Sequence, residues 1–189
     1  MKWSECKKII GRDLFRLSGK KGYLSVIRYL ITNASFKITF WLRVGNYLTR
    51  KKFVGAKVLL ALVLLIHKHN QYKTGIQISI GTDVGEGLVF AHYSCIVVHK
   101  NAVIGNDCTI YQGCTIGGAR GAGGGTPKIG DRVVLTAHAQ VIGNVHIGDD
   151  VVIGANAVVV TDIPDGTIAV GIPAKVINLN GRDKVKYYI

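Results

Sequence analysis

Acidic residues are almost missing from the first part of this chain. Residues 1–75 contain 16 Lys and Arg but only two acids, Glu5 and Asp13, a net of +14, whereas the remainder holds 8 cations against 9 acids. The overall charge of +13 is therefore an N-terminal property. A field of this sign attracts nucleic acid, an anionic membrane face or an anionic polymer; a merely solvated basic surface is the bland alternative. No RNA- or DNA-reading motif accompanies the charge, so no nucleic-acid partner is expected. Also missing is any C-x-x-C pair: Cys6, Cys95, Cys108 and Cys114 stand singly and read as core thiols of a reducing compartment. The N-terminus lacks the apolar run and small-residue cleavage site of a secretory signal, because charges interrupt residues 3–16. A cytoplasmic protein is expected, at most peripheral to the inner face of the membrane.

No apolar stretch reaches the roughly 20 residues that a bilayer span needs. The longest, residues 53–66, has 14 and includes Lys57. Two readings of it stand: a helix buried against the rest of the protein or a neighbouring subunit, which is favoured, and an interfacial helix helped by flanking Arg50, Lys51, Lys52, Lys68 and Lys73. His67 and His69 follow at i and i+2, on different helix faces, which argues against a joint metal site. Upstream, residues 4–17 predict a helix with Ser4 as N-cap and an apolar face of Ile9, Ile10, Leu14 and Leu17. Residues 35–48 predict a second, with Phe36, Phe40, Val44, Tyr47 and Leu48 on one face and Arg43 elsewhere.

What the chain does have is a period of six. Aliphatic residues fall at Val98, Ile104, Ile110 and Ile116, then at Ile129, Leu135, Val141, Ile147, Ile153 and Val159. Four positions after most of these comes a small or branched residue: Ala102, Cys108, Cys114, Val133, Ala139, Val145, Val151, Ala157 and Ile163. Neither a helix nor a flat sheet repeats at six, so two inward rows at this spacing specify a coiled strand, the hexapeptide pattern of a parallel β-helix. About four to five stacked coils are expected, since one coil cannot bury its own inward face. Gly, Asn and Asp after the aliphatic position, as in Gly105-Asn106-Asp107 and Gly154-Ala155-Asn156, suit tight or left-handed corners.

The period fails between Ile116 and Ile129, where the step is 13 and the insert reads GGARGAGGGTPK. So glycine-rich a stretch must project as a loop, and loops held out by a rigid scaffold often carry function. After Val160 the chain leaves the coil through two prolines and ends in a polar, weakly patterned tail. The expected organisation is a basic helical segment at 1–74, a repeat domain at 75–177 and a C-terminal tail at 178–189.

The run GIQISIGTDVGEGLVFAHYSCIVVHKNAVIGNDCTIYQGCTIGG, the loop closing on Pro127-Lys128-Ile129-Gly130 and the ending Val170-Gly171-Ile172-Pro173-Ala174-Lys175 resemble the hexapeptide-repeat acyltransferases, in particular the serine O-acetyltransferase group and its polysaccharide-biosynthesis relatives. That resemblance implies a mainly β fold, a left-handed parallel β-helix with an N-terminal α-helical segment, assembled as a homotrimer and using acetyl-CoA as donor. It places the catalytic histidine at His92 and the acid that orients it at Gln77. It aligns Gly117, Gly118, Ala137 and Ala155 with the backbone that lines the pantetheine arm, and Lys175 with a CoA phosphate, Lys128 and Arg132 being second choices. No metal is expected, because residues 110–114 read Ile-Tyr-Gln-Gly-Cys where a zinc β-helix would need histidines.

Four positions depart from the serine-specific pattern. Ala91 replaces the acid before the histidine, Gly125 and Thr126 replace an Arg-His pair, and Gln77 replaces the orienting carboxylate. A serine acceptor brings a carboxylate and an ammonium that call for charged partners. These absences therefore point to a neutral acceptor, a sugar hydroxyl of a polysaccharide or its precursor, with His92 as general base. The alternatives are a serine O-acetyltransferase of cysteine biosynthesis and a non-catalytic β-helix scaffold docking on membrane or partners. For His92 the competing reading is a buried histidine in an aliphatic slot, since stepping back by six from Val98 lands on it.

Overall fold

The computed structural model describes residues 2–121 and 124–188. Four helices lead: α1 (Trp3–Ser18), α2 (Tyr23–Thr32), α3 (Ala34–Leu48) and α4 (Val54–Thr74). The start of α1 differs from expectation, with Lys2 at the N-cap, its backbone N–H donating to Glu5 Oε2 at 2.7 Å, and Ser4 inside the first turn. Asn33 caps α3, accepting from the Phe36 N–H at 2.8 Å. Gly75, with φ of 69°, ends α4 in the left-handed conformation that glycine adopts without strain, and the first strand begins on the next residue.

The remainder winds into five coils. They are formed by β1 (Ile76–Gln77), β2 (Asp83–Val84) and β3 (Val89–Phe90); β4 (Ile96–Val98), β5 (Val103–Ile104) and β6 (Thr109–Ile110); β7 (Thr115–Gly117), β8 (Lys128–Ile129) and β9 (Val134–Leu135); β10 (Gln140–Ile142), β11 (His146–Ile147) and β12 (Val152–Ile153); and β13 (Val158–Val159), β14 (Ile168–Val170) and β15 (Lys175–Asn178). Like strands stack in parallel on three faces: β1-β4-β7-β10-β13, then β2-β5-β8-β11, then β3-β6-β9-β12-β14, with β15 added antiparallel at the last edge. Both six-spaced rows point inward, and every member named above, from Val98 to Ile163, is buried in one continuous core. Each strand's backbone groups are satisfied by the coil above and below, so only the two end coils have open edges.

Corners are made by left-handed residues in columns. Asp107, Arg132 and Asp150 have φ of 55°, 55° and 57° at one corner; Cys95, His138 and Asn156 have 51°, 62° and 58° at another. Carboxylates tie successive corners together. Asp131 Oδ1 accepts from the Asn106 N–H at 2.7 Å, Asp149 Oδ1 from the Asp131 N–H at 2.8 Å, and Asp165 Oδ1 from the Asp149 N–H at 2.9 Å.

The helices close the first coil. Ile38 and Leu42 of α3 enter the same core as Ile76, Ile78, Leu88 and Phe90. Arg43, off the apolar face of α3, is buried: it donates to the carbonyls of Val84 and Gly85 at 2.6 Å each and pairs with Asp13 at 2.9 Å. Asp13 Oδ1 accepts from the N–H groups of Gly87 and Leu88 at 2.7 and 3.0 Å. Burial pushes the Asp13 carboxyl up, and Arg43 together with those two N–H groups opposes that. Arg16 donates to the carbonyls of Gly87 and Cys108, and Arg12 forks onto Asp107 at 2.8 and 3.0 Å. From α4, His67 Nε2 and Gln71 Nε2 both donate to the Ile78 carbonyl, at 2.8 and 2.6 Å. Charged groups of the basic segment are thus part of the structure where they meet the open coil.

Two further expectations are corrected and one helix is added. Cys95 is exposed, since it takes the left-handed position of a corner, whereas Cys6, Cys108 and Cys114 are buried. Residues 23–32, without an assignment from the sequence, form α2; none of its residues is fully buried, but Val26, Tyr29 and Leu30, at i, i+3 and i+4, pack against the core that α1 and α3 share. The C-terminal residues are not a loose tail: a short helix α5 (Gly181–Val185) lays Val185 over Val134 and Val152 on the third face, and Arg182 reaches Asp150 at 3.4 Å.

Candidate active site

The third-to-first corner of the coil is where His92 stands. Strand pairing puts Val84 beside Ile104, Phe90 beside Ile110 and Val98 beside Ile116. The aliphatic row of the first coil is therefore Ile78, Val84 and Phe90, and the step from Phe90 to Val98 is eight residues. Phe90 fills the slot that a count back from Val98 assigns to His92, and the two extra residues carry His92 out to the surface. The buried-histidine reading is thereby removed. The His92 ring meets Tyr111, one coil on, edge to face at 5.8 Å, and Tyr111 meets Tyr188 of the C-terminal segment at 6.1 Å. This aromatic row holds the imidazole from its flank and was not visible in sequence, because its members are 19 and 77 residues apart.

Ala137 and Ala155 occupy the same corner on the later coils, so the fold aligns them with His92 along one edge of the first face. At that corner Gly113 lies directly beneath the His138 ring, where any Cβ would overlap it. Gln77 lies on β1, exposed, its register partner being Val97. Among the described residues no hydrogen bond joins Gln77 to His92.

Gly117 and Gly118 sit on the opposite edge of the first face, at the base of the glycine-rich loop. Paired backbone bonds between Ala119 and Gly125, 2.9 and 3.1 Å, fold the loop back on itself, and Ala122 and Gly123 lie outside the described residues. A Cβ at Gly118 would meet the Gly125 carbonyl at 3.1 Å and the His99 ring at 3.4 Å, so the loop base closes tightly on this glycine. Lys100 and Arg120 stand exposed at the same edge. Lys175 is exposed on β15 and takes part in no ion pair among the described residues. Arg132, by contrast, is bound to Asp150 at 2.6 Å. Within one protomer, then, His92, Ala137 and Ala155 are on one edge and Gly117, Gly118 and the loop on the other.

A cavity of about 470 Å³ lies between α1, α3 and the first coil and is lined by Glu5, Arg43, Asn46, Arg50 and Asp83 among others, and a second of about 400 Å³ lies beside α1 and the start of α2; neither includes any of the predicted site residues. Among the described residues no three His, Cys, Asp or Glu side chains converge as a metal site.

Residues 126–161 match a family model described as bacterial transferase hexapeptide (six repeats). The chain is similar to a probable serine acetyltransferase 4 of Oryza sativa subsp. japonica, 47% identical over 118 residues, 62% of this chain and 38% of that one. It is similar to a serine acetyltransferase of Staphylococcus xylosus, 38% identical over 134 residues, 70% of this chain and 59% of the other. It spans less than two thirds of either protein. Of solved structures, soybean serine acetyltransferase superposes with a TM-score of 0.76 at 30% identity, over 92% of this chain and 69% of that one. A serine acetyltransferase in complex with CoA superposes with a TM-score of 0.74 at 26% identity, over 92% and 70%.

These matches bear out the left-handed β-helix with its helical lead-in, and they correct the expected sugar acceptor and the assignment to polysaccharide biosynthesis, since the relatives are serine acetyltransferases. The physical weakness of the sugar reading lay in treating absent charges at four aligned positions as an uncharged pocket. Exposed Lys100 and Arg120 supply cations at the loop edge from positions the alignment does not use. The chain belongs to the hexapeptide-repeat acyltransferases, and among them it resembles the serine acetyltransferases.

Proposed function

We propose that this protein transfers the acetyl group of acetyl-CoA to the hydroxyl of L-serine, with His92 as general base. The observation that carries the proposal is the eight-residue step between Phe90 and Val98, which sets the His92 imidazole outside an otherwise closed coil and so supports its resemblance to the family's catalytic histidine. The serine oxygen attacks the thioester carbonyl as His92 takes its proton; the tetrahedral adduct then expels the CoA sulfur, which receives that proton from the imidazolium. The products are O-acetylserine and free CoA. An imidazole can both take up and return a proton near neutral pH, as this sequence of steps requires.

Small residues at Ala137 and Ala155 fit a pantetheine arm running along the His92 edge, and Lys175 fits a phosphate as a point charge. Because Gly117, Gly118 and the loop lie on the other edge of the first face, we assign a complete site to the junction of two protomers, the His92 edge of one facing the loop edge of the next, in a homotrimer. Gln77 is proposed to meet the imidazole only once substrate is bound. Its amide would support the imidazolium less than a carboxylate does.

Thiol release from acetyl-CoA, followed with and without L-serine, tests this. Serine-dependent release is expected, and His92→Ala is expected to lower kcat by about 100-fold or more. No serine-dependent release, or undiminished release by the variant, overturns the proposal.

A further inference from the structure

Helix α4 has two faces of opposite fate. Ala56, Val63, His67 and Asn70 turn inward onto α3 and the first coil. Val54, Val58, Leu59, Leu62, Leu65 and Ile66 form the outer side and stand exposed among the described residues of one protomer; Leu62 is 54% exposed, Leu65 70% and Val54 76%. Single apolar residues on a surface are ordinary, but six on one helix face are not. Thirteen helical residues make this stripe about 20 Å long. Of the favoured reading of residues 53–66, a helix buried against the β-helix or a neighbouring subunit, only the inward face is met within one protomer.

Charge narrows what covers the stripe. From residue 14 to residue 82 the chain has no Asp or Glu. Lys52, Lys57, Lys68 and Lys73 stand exposed around the stripe and join no ion pair among the described residues. Exposed Phe53 and Tyr72 mark the two ends of the helix, where amphipathic aromatic rings suit a water–lipid boundary. A second copy of this face would bring only like charges together. A nucleic acid would satisfy the lysines and leave six aliphatic side chains without a partner. No helix among the described residues is long and apolar enough to cross a membrane. We propose that α4 lies flat in the headgroup region of an anionic lipid bilayer, its aliphatic stripe among the upper acyl carbons and its lysines on the lipid phosphates. The proposal does not depend on which acceptor the enzyme uses.

The test is co-sedimentation of the full-length protein with vesicles of phosphatidylcholine alone and of phosphatidylcholine with about one third phosphatidylglycerol. Binding is expected to the anionic vesicles, weakened by salt. The Leu62→Glu/Leu65→Glu variant is expected to bind about tenfold less or worse, with the parent's circular dichroism and thiol-release rate retained. Lys57→Glu/Lys68→Glu carries the same expectation and stands in if the first variant does not fold. Absence of binding, equal binding by parent and variants, or a parent assembly that loses mass in Leu62→Glu/Leu65→Glu without any lipid binding would overturn the proposal, the last by assigning the stripe to a second copy.

Discussion

The two ends of the β-helix are closed by different means. At the first coil, three helices reach the open backbone edge with charged and amide groups, and a buried Asp13–Arg43 pair supplies four of the required hydrogen bonds. At the other end the chain turns back on itself as β15, and α5 then covers a flank with one apolar side chain and an exposed arginine. The first closure rests on buried charges and specific hydrogen bonds; the second rests on one apolar contact and the ion pair of an exposed arginine. Burying ions makes the first end dependent on both partners being present, because a lone buried charge costs more than the pair contributes.

That contrast can be broken most directly at Arg43. Arg43→Ala leaves Asp13 buried without a counter-charge and two carbonyls without a donor, and is expected to lower stability by about 3–5 kcal/mol in denaturant unfolding. The pair replacement Asp13→Leu/Arg43→Met is expected to cost less than the single change. Val185→Ala at the other end removes two methyl groups from the contact with Val134 and Val152 and is expected to cost about 1–2 kcal/mol. Equal losses at the two ends would dissolve the comparison.

Acid separates the ends without any mutation. Burial lowers the His67 pKa, so the native ring is neutral and the unfolded one binds a proton first. The stability this contributes is present above the ordinary histidine value of about 6.5 and is lost as pH falls from there through the native pKa. The hydrogen bond from Arg132, aided by Arg182, lowers the Asp150 pKa; its contribution is present above the ordinary carboxylate range and is lost as pH falls from there through the lowered native value. Hydrogen exchange across a pH series is expected to show α4 and the first coil loosening at mildly acid pH while α5 stays docked until the carboxylate range.

The smallest effect is chemical. Burial pushes the Cys108 thiol up to about 12 and Cys114 to about 11, and raises Cys6 as well. In the native protein at neutral pH, alkylation is expected at Cys95 alone, with the other three reacting only on unfolding, as mass spectrometry of digests would show.

The coil was legible in the sequence because its core obeys one rule, and every aliphatic and small position in the two six-spaced rows is inward. Where the rule lapses, direction of counting mattered. Stepping back from Val98 lands on His92, whereas stepping forward from Ile78 through Val84 reaches Phe90, and only the second count reveals the two-residue expansion. The burial of Arg43 was not legible because its partner Asp13 is 30 residues away and no local pattern announces a buried ion pair. The Tyr111–Tyr188 support of His92 is equally non-local. The division of the aligned cofactor positions between two edges of one face follows from coil geometry, which a linear alignment does not contain.

The ladder of corner carboxylates, each taking an N–H from the preceding coil, makes the cylinder modular. Coils are separated by the ordinary strand spacing of about 4.8 Å, so removing or duplicating one 18-residue turn such as that from Val141 to Val159 would let the ladder close again on the same residue types. The barrel is thus a ruler graduated in coils. Since His92 belongs to the first coil, next to the helices, adding graduations at the far end would lengthen the protein while leaving the imidazole at the same height above α4.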